Sequence, residues 1–248
     1  MHKLGVQDLR LMRWEDAAGL QQRLVAERKK GLICDRLLFV EHPHVITMGR
    51  NAHGENLLAR EDVLGRAGVS VHETNRGGDV TYHGPGQVVG YPILDLNEWK
   101  RDVHLYVRAL EEVVIRTLGE FGIGAERVQG MTGVWTGGAK IAAIGVHLSR
   151  WVTSHGFALN VDTDLSYFEY IVPCGLRKPV TSMRVLGVSA SREQVLDRLS
   201  RNFSEVFDRE RVIYGRCDAA DGREYRRGNA DEVAQEAGRH RGTGRAAI

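Results

Sequence analysis

GGAKIAAIGVHLSRWVTSHGFALNV, residues 137–161, carries two short apolar runs, 140–148 and 156–161, each bounded by glycine. Runs of this length and composition read as strands, since a buried helix would need ten or more residues with a 3.6-residue repeat. This part of the chain is therefore committed to a sheet. Working outward, residues 36–40, 45–48, 69–72 and 87–94 have the same character and read as further strands.

Helices lie between and beyond them. Val103, Tyr106, Val107, Leu110, Val113, Val114, Leu118 and Phe121 recur at three- and four-residue steps, which predicts an amphipathic helix over 102–121 with one buried face. A second helix is expected over 14–29. A third starts at Ser191, which forms a capping box with Gln194 and buries Val195, Leu199, Phe203 and Val206. Hairpin-like strand pairs mixed with a few well-separated helices, not in strict alternation, predict an α+β fold: a mixed sheet packed by helices, not a doubly wound nucleotide fold.

At 248 residues the chain is long enough for one large core. Residues 1–217 read as a single catalytic domain. Residues 218–248, rich in Arg, Asp, Glu, Gly and Ala with few large apolar side chains, read as a disordered tail, because they cannot offset their ordering entropy. With 34 Lys plus Arg against 32 Asp plus Glu, the charge balance argues for no polyanionic partner. Cys34, Cys174 and Cys217 are too few and too widely spaced for a disulfide scaffold, so a reducing cytoplasm is expected, with Cys34 a free, buried thiol. MHKLGVQDLR has no signal-like apolar run, and no stretch approaches the roughly 20 apolar residues that span a bilayer, so a soluble protein is expected.

Three segments can carry chemistry. RGGDVTYHGPGQ, residues 76–87, packs four glycines and a proline around Tyr82 and His83 in a turn-rich run between strands. It can form a pocket wall in which a ligand approaches the backbone closely, or simply a glycine-rich hairpin. It matches neither the GxxxxGK[ST] phosphate loop nor the dinucleotide fingerprint. Lys140 interrupts an apolar strand, where it either snorkels to water or points into a site. Cys174 sits between Pro173 and Gly175 in a turn. A thiol of ordinary pKa is only a few per cent ionised at neutral pH, and a nearby ammonium such as Lys140 would raise that fraction. His83, His147 and His155 are competing activators. No CxxC or HxxxH spacing supports a metal site.

Taken in order, RGGDVTYHGPGQ, GGAKIAAIG, HGFALNV and PCG resemble the lipoyl(octanoyl) transferase family, also called lipoate-protein ligase B, over residues 37–206. The resemblance implies the biotin and lipoate protein ligase type of catalytic domain. It also implies transfer of octanoate from octanoyl acyl carrier protein to a specific lysine of lipoyl domains, those of 2-oxoacid dehydrogenase subunits and of the glycine cleavage H protein. This is the first step of endogenous protein lipoylation, and it needs no cofactor, metal, nucleic acid or membrane. Cys174 matches the family nucleophile that carries the acyl thioester, and Lys140 matches the lysine that lowers the thiol pKa. Substrate contacts map onto Arg76, Gly77, Gly78, Asp79, Val80, Thr81, Tyr82 and His83, onto Ala143, Ile144 and Gly145, and onto Gly156, Phe157 and Ala158. Ile141, Ala142, Ile144, Val146 and Phe157 are further candidates for an acyl tunnel, of which about half must face the opposite side of the sheet. The alternatives are an ATP-dependent lipoate or octanoate ligase, which would not need the cysteine, and a non-catalytic carrier-protein binding module.

Overall fold

The computed structural model describes residues 2–172 and 178–212. Cys174, the domain limit at 217 and the tail expected from 218 lie outside the described residues.

The elements run β1 (His2–Leu11), α1 (Trp14–Lys29), β2 (Asp35–Glu41), β3 (Val45–Met48), α2 (Glu61–Arg66), β4 (Ser70–Glu73), β5 (Val80–His83), β6 (Gln87–Ile93), α3 (Val103–Gly119), β7 (Glu126–Val128), β8 (Met131–Thr136), β9 (Ala139–Ser149), β10 (Val152–Asn160), α4 (Arg192–Phe207) and β11 (Arg209–Val212). Eight strands form one mixed sheet in the order β11-β1-β2-β6-β10-β9-β8-β7. Its β11, β1 and β2 are parallel, and the remaining pairs are antiparallel. A smaller sheet, β4-β3-β5, stands beside it.

Burial on both faces explains the continuous apolar runs. In β2, Leu37 and Phe39 point into a core shared with α3 and α4, whereas Leu38 and Val40 point into a second core shared with α1. β6 and β10 divide in the same way: Val88 and Phe157 join the first core, Val89 and Ala158 the second. A strand covered on both sides needs apolar residues at every position and loses the two-residue alternation of a half-exposed strand. A third cluster, Ile46, Leu64, Val69, Val80, Tyr82 and Ile171, fills the space under the smaller sheet.

The helices expected over 14–29 and 102–121 are α1 and α3, and Ser191 caps α4 in a reciprocal capping box with Gln194. Residues 76–87 depart from the expected turn-rich run, because their centre is strand β5, paired with β3. β1, β7, β8, β11 and α2 are not apparent from periodicity. β11 is RERV at the sheet edge, with little apolar pattern to read. Within β1, a Cβ at Gly5 would lie 2.2 Å from Nη1 of the buried Arg36, so the glycine keeps a lane open for that side chain. Cys34 is disulfide-bonded, not the free thiol expected. Among the described residues no helix is long and apolar enough to cross a membrane.

Candidate active site

The two sheets meet over a cavity of about 920 Å³. Its floor is the β9–β10 pair, in which Gly145, Ile144 and Ala143 lie opposite Gly156, Phe157 and Ala158. Two triplets read separately in sequence are thus one ladder. Residues 76–81 fold over this floor: the Gly77 amide donates to the Val146 carbonyl at 2.8 Å. The approach is close enough that a Cβ at Gly145 would come within 2.9 Å of the Gly77 carbonyl oxygen.

Arg76 anchors this lip. Its buried guanidinium donates to the Thr47 carbonyl at 2.6 Å, to Thr47 Oγ1 at 3.0 Å and to the Gly77 carbonyl at 3.1 Å. Asp79 accepts from the Val80 amide at 2.7 Å and from Asn56 Nδ2 at 2.6 Å. These side chains set the shape of the wall from behind. On the other flank Val103 and Val107 of α3, with Ile144, Val146, Leu148 and Phe157, make an apolar surface.

Lys140 lines the cavity with its Nζ 4.9 Å above the Trp135 ring. Its amide donates to the Pro179 carbonyl at 2.8 Å, and its carbonyl accepts from the Thr181 amide at 3.0 Å. Upstream, the Val172 amide donates to the Asn56 carbonyl at 2.8 Å. Both flanks of residues 173–177 are therefore tied to residues of the cavity wall.

Of the substrate contacts expected from the sequence, Arg76, Gly77, Gly78, Asp79, Val80, Thr81 and His83 line the cavity, as do both triplets on the floor. Tyr82 does not. It is fully buried under the smaller sheet, stacked on Tyr167 at 5.2 Å with its hydroxyl 2.7 Å from His44 Nδ1. Ile141 and Ala142 also belong to the core, while Ile144, Val146 and Phe157 reach the cavity.

The three candidate histidines separate by position and charge. His83 and His155 line the cavity, whereas His147 does not. Burial depresses the pKa of His83 to about 3 and of His155 to about 4, and it lowers that of the partly buried His147 as well. His83 and His155 are accordingly neutral at physiological pH. A neutral imidazole cannot stabilise a thiolate by charge, whereas an ammonium can.

Gln87, Asn160, Thr47, Asn56 and Trp135 also line the cavity. None stands out as a site residue in the sequence. A signal was nonetheless present for two of them, since Gln87 opens one apolar run (87–94) and Asn160 interrupts another (156–161) with a polar side chain. Among the described residues no group of three or more His, Cys, Asp or Glu gathers in a way that could hold a metal.

Residues 14–204 match the Lipoyl protein ligase A/B catalytic domain. An octanoyltransferase of Solibacter usitatus is 66% identical over 197 residues, 79% of this chain and 90% of that protein. Another, of Koribacter versatilis, is 55% identical over 205 residues, 80% of this chain and 81% of that one. Among solved structures, a bipartite lipoate protein ligase of Thermoplasma acidophilum shares the fold with a TM-score of 0.69 at 18% identity, over 86% of this chain and 87% of that one. A lipoate-protein ligase A bound with ATP gives 0.64 at 18% identity, over 86% and 89%. The matched domain spans most of the chain, and the sequence relatives are close: this protein belongs to the octanoyltransferases of the lipoyl protein ligase A/B catalytic-domain family.

Proposed function

We propose that the protein moves an octanoyl group from octanoyl acyl carrier protein to a specific lysine of a lipoyl domain, through a thioester on Cys174 that is activated by Lys140. The observation that supports this reading is that the described residues on either side of the Cys174 segment, Val172 and Pro179, are bonded to residues that line the cavity. Val172 is held by Asn56 and Pro179 by Lys140, and Asn56 and Lys140 both line the cavity. In the chain, Cys174 follows Val172 by two residues.

The Cys174 thiolate attacks the carbonyl carbon of the carrier thioester, and the carbon–sulfur bond to the carrier breaks. The departing thiolate takes a proton from the Lys140 ammonium. The acceptor lysine, as free amine, then attacks the Cys174 thioester; a carbon–nitrogen bond forms and the bond to Cys174 breaks. Neutral Lys140 takes the amine proton, which restores the starting ion pair. Exchange of one thioester for another is nearly balanced and thioester to amide runs downhill, so ATP is not required. Burial of the octanoyl tail against Val103, Val107, Ile144, Val146, Leu148 and Phe157 would contribute about 5 kcal/mol at roughly 0.8 kcal/mol per methylene.

Intact mass spectrometry tests the reading. Mixed with octanoyl acyl carrier protein and no ATP, the wild-type protein should gain one octanoyl group, which a lipoyl domain then removes. The Cys174→Ala protein should gain none. Labelling that survives this substitution, or transfer that requires ATP and free octanoate, rules the proposal out.

A further inference from the structure

A buried chain of hydrogen bonds crosses the inner end of the cavity. Asn160 Nδ2 donates to the Thr181 carbonyl at 3.0 Å, Gln87 Nε2 donates to Asn160 Oδ1 at 2.9 Å, and Gln87 Oε1 lies 2.8 Å from His83 Nδ1. A backbone carbonyl only accepts, so Thr181 fixes the direction of every link. Asn160 must present its amide nitrogen to Thr181 and its oxygen to Gln87. Gln87 must then present its oxygen to His83, and His83 must carry its proton on Nδ1. Its Nε2 is left as a lone pair on a ring that lines the cavity.

We propose that Gln87 and Asn160 are positioning residues for the transfer: they hold His83 with an unprotonated Nε2 turned to the cavity, and they clamp Thr181, the residue whose amide binds Lys140. The proposal rests on the acyl-transfer reading above. So held, His83 can accept a hydrogen bond from an N–H of the acceptor amine and orient its lone pair without keeping the proton. The clamp fixes residues 179–181 between β9 and β10, and with them the downstream flank of the Cys174 segment.

The test uses the full chain labelled with ¹⁵N-histidine. His83, assigned by comparison with a His83→Gln protein, should show a pyrrole-type Nδ1 and a pyridine-type Nε2, unchanged from about pH 5.5 to 8. The reverse tautomer, or titration in that range, overturns the proposal. Two substitutions then separate the halves of the device. Gln87→Glu places a carboxylate on His83 Nδ1, so His83 should begin to titrate and transfer should gain a matching inflection in its pH profile. Asn160→Asp still accepts from Gln87 and keeps the tautomer, but an ionised carboxylate cannot donate to Thr181. Acylation of Cys174 should slow about 100-fold at pH 8 and recover as acid protonates the carboxyl. Wild-type rates and profiles in both variants overturn the positioning role. Failure of the underlying reading would show separately, as wild-type protein that takes up no octanoyl group.

Discussion

Charge at single residues separates the groups that can activate a thiol from those that only shape the cavity. With His83 and His155 held neutral by burial, the role proposed for Lys140, which lines the cavity, is to supply an ammonium to the Cys174 thiolate. Lys140→Ala should raise the Cys174 pKa by about one unit or more and slow its alkylation at pH 7 about tenfold. An unchanged alkylation profile would remove Lys140 from this role. Lys140→Arg divides the two duties, because arginine supplies charge and lets the carrier thiolate leave as the anion, but it has no neutral form to take the acceptor amine's proton. The acyl-enzyme should form and then accumulate, which intact mass in the presence of a lipoyl domain reads directly. The place of Lys140 in the cavity wall was legible in sequence, as a cation interrupting an apolar strand. The protonation states of the histidines were not, because burial by several elements at once sets them.

At the scale of elements, legibility followed apolar pattern and local chemistry. α1, α3 and the Ser191 cap read correctly because their signals lie within a few residues of chain. The cap should be worth about 1 kcal/mol, so Ser191→Ala is expected to lower the urea midpoint by the corresponding amount, and an unmoved midpoint would mean that the capping box contributes nothing net. The β9–β10 connection gave no such signal. Register pairs Ser149 with Val152, leaving Arg150 and Trp151 as a two-residue turn with φ of 52° and 67°, and the usual Asn-Gly or Asp-Gly marker is missing. Arg150 is exposed, so Arg150→Asn should relieve left-handed strain and stabilise the protein by up to about 1 kcal/mol, whereas Arg150→Val should destabilise it. Equal midpoints for the two variants would mean that the turn is not strained. β5 was hidden for the opposite reason, since the glycines on both sides of VTYH made a paired strand look like part of a loop.

The whole molecule joins two sheets, and buried histidines gather where they meet. His42 follows β2, His83 ends β5 and His155 lies in β10; the His42 and His83 rings are 5.9 Å apart, and Tyr91 contacts both His42 and His155. Burial lowers their pKa values to about 4, 3 and 4 respectively. As pH falls through about 6.5 the unfolded chain binds protons at these positions while the folded chain does not. Stability contributed by the neutral imidazoles is therefore complete above pH 6.5 and declines toward pH 4, by up to about 1.4 kcal/mol per pH unit for each histidine. Against a typical stability of roughly 5–15 kcal/mol, three such groups can unfold the domain in mild acid. The urea midpoint should accordingly fall steadily from pH 6.5 to 4.5. His42→Gln isolates one contribution. His42 Nδ1 lies 2.7 Å from the Met12 carbonyl and Nε2 2.8 Å from the Tyr91 hydroxyl, and a glutamine amide can donate to the first and accept from the second without titrating. The variant should fold at pH 7 and lose stability more gradually on acidification. A flat wild-type midpoint over this range, or an unchanged slope in His42→Gln, would show that the histidines at the junction do not control acid stability.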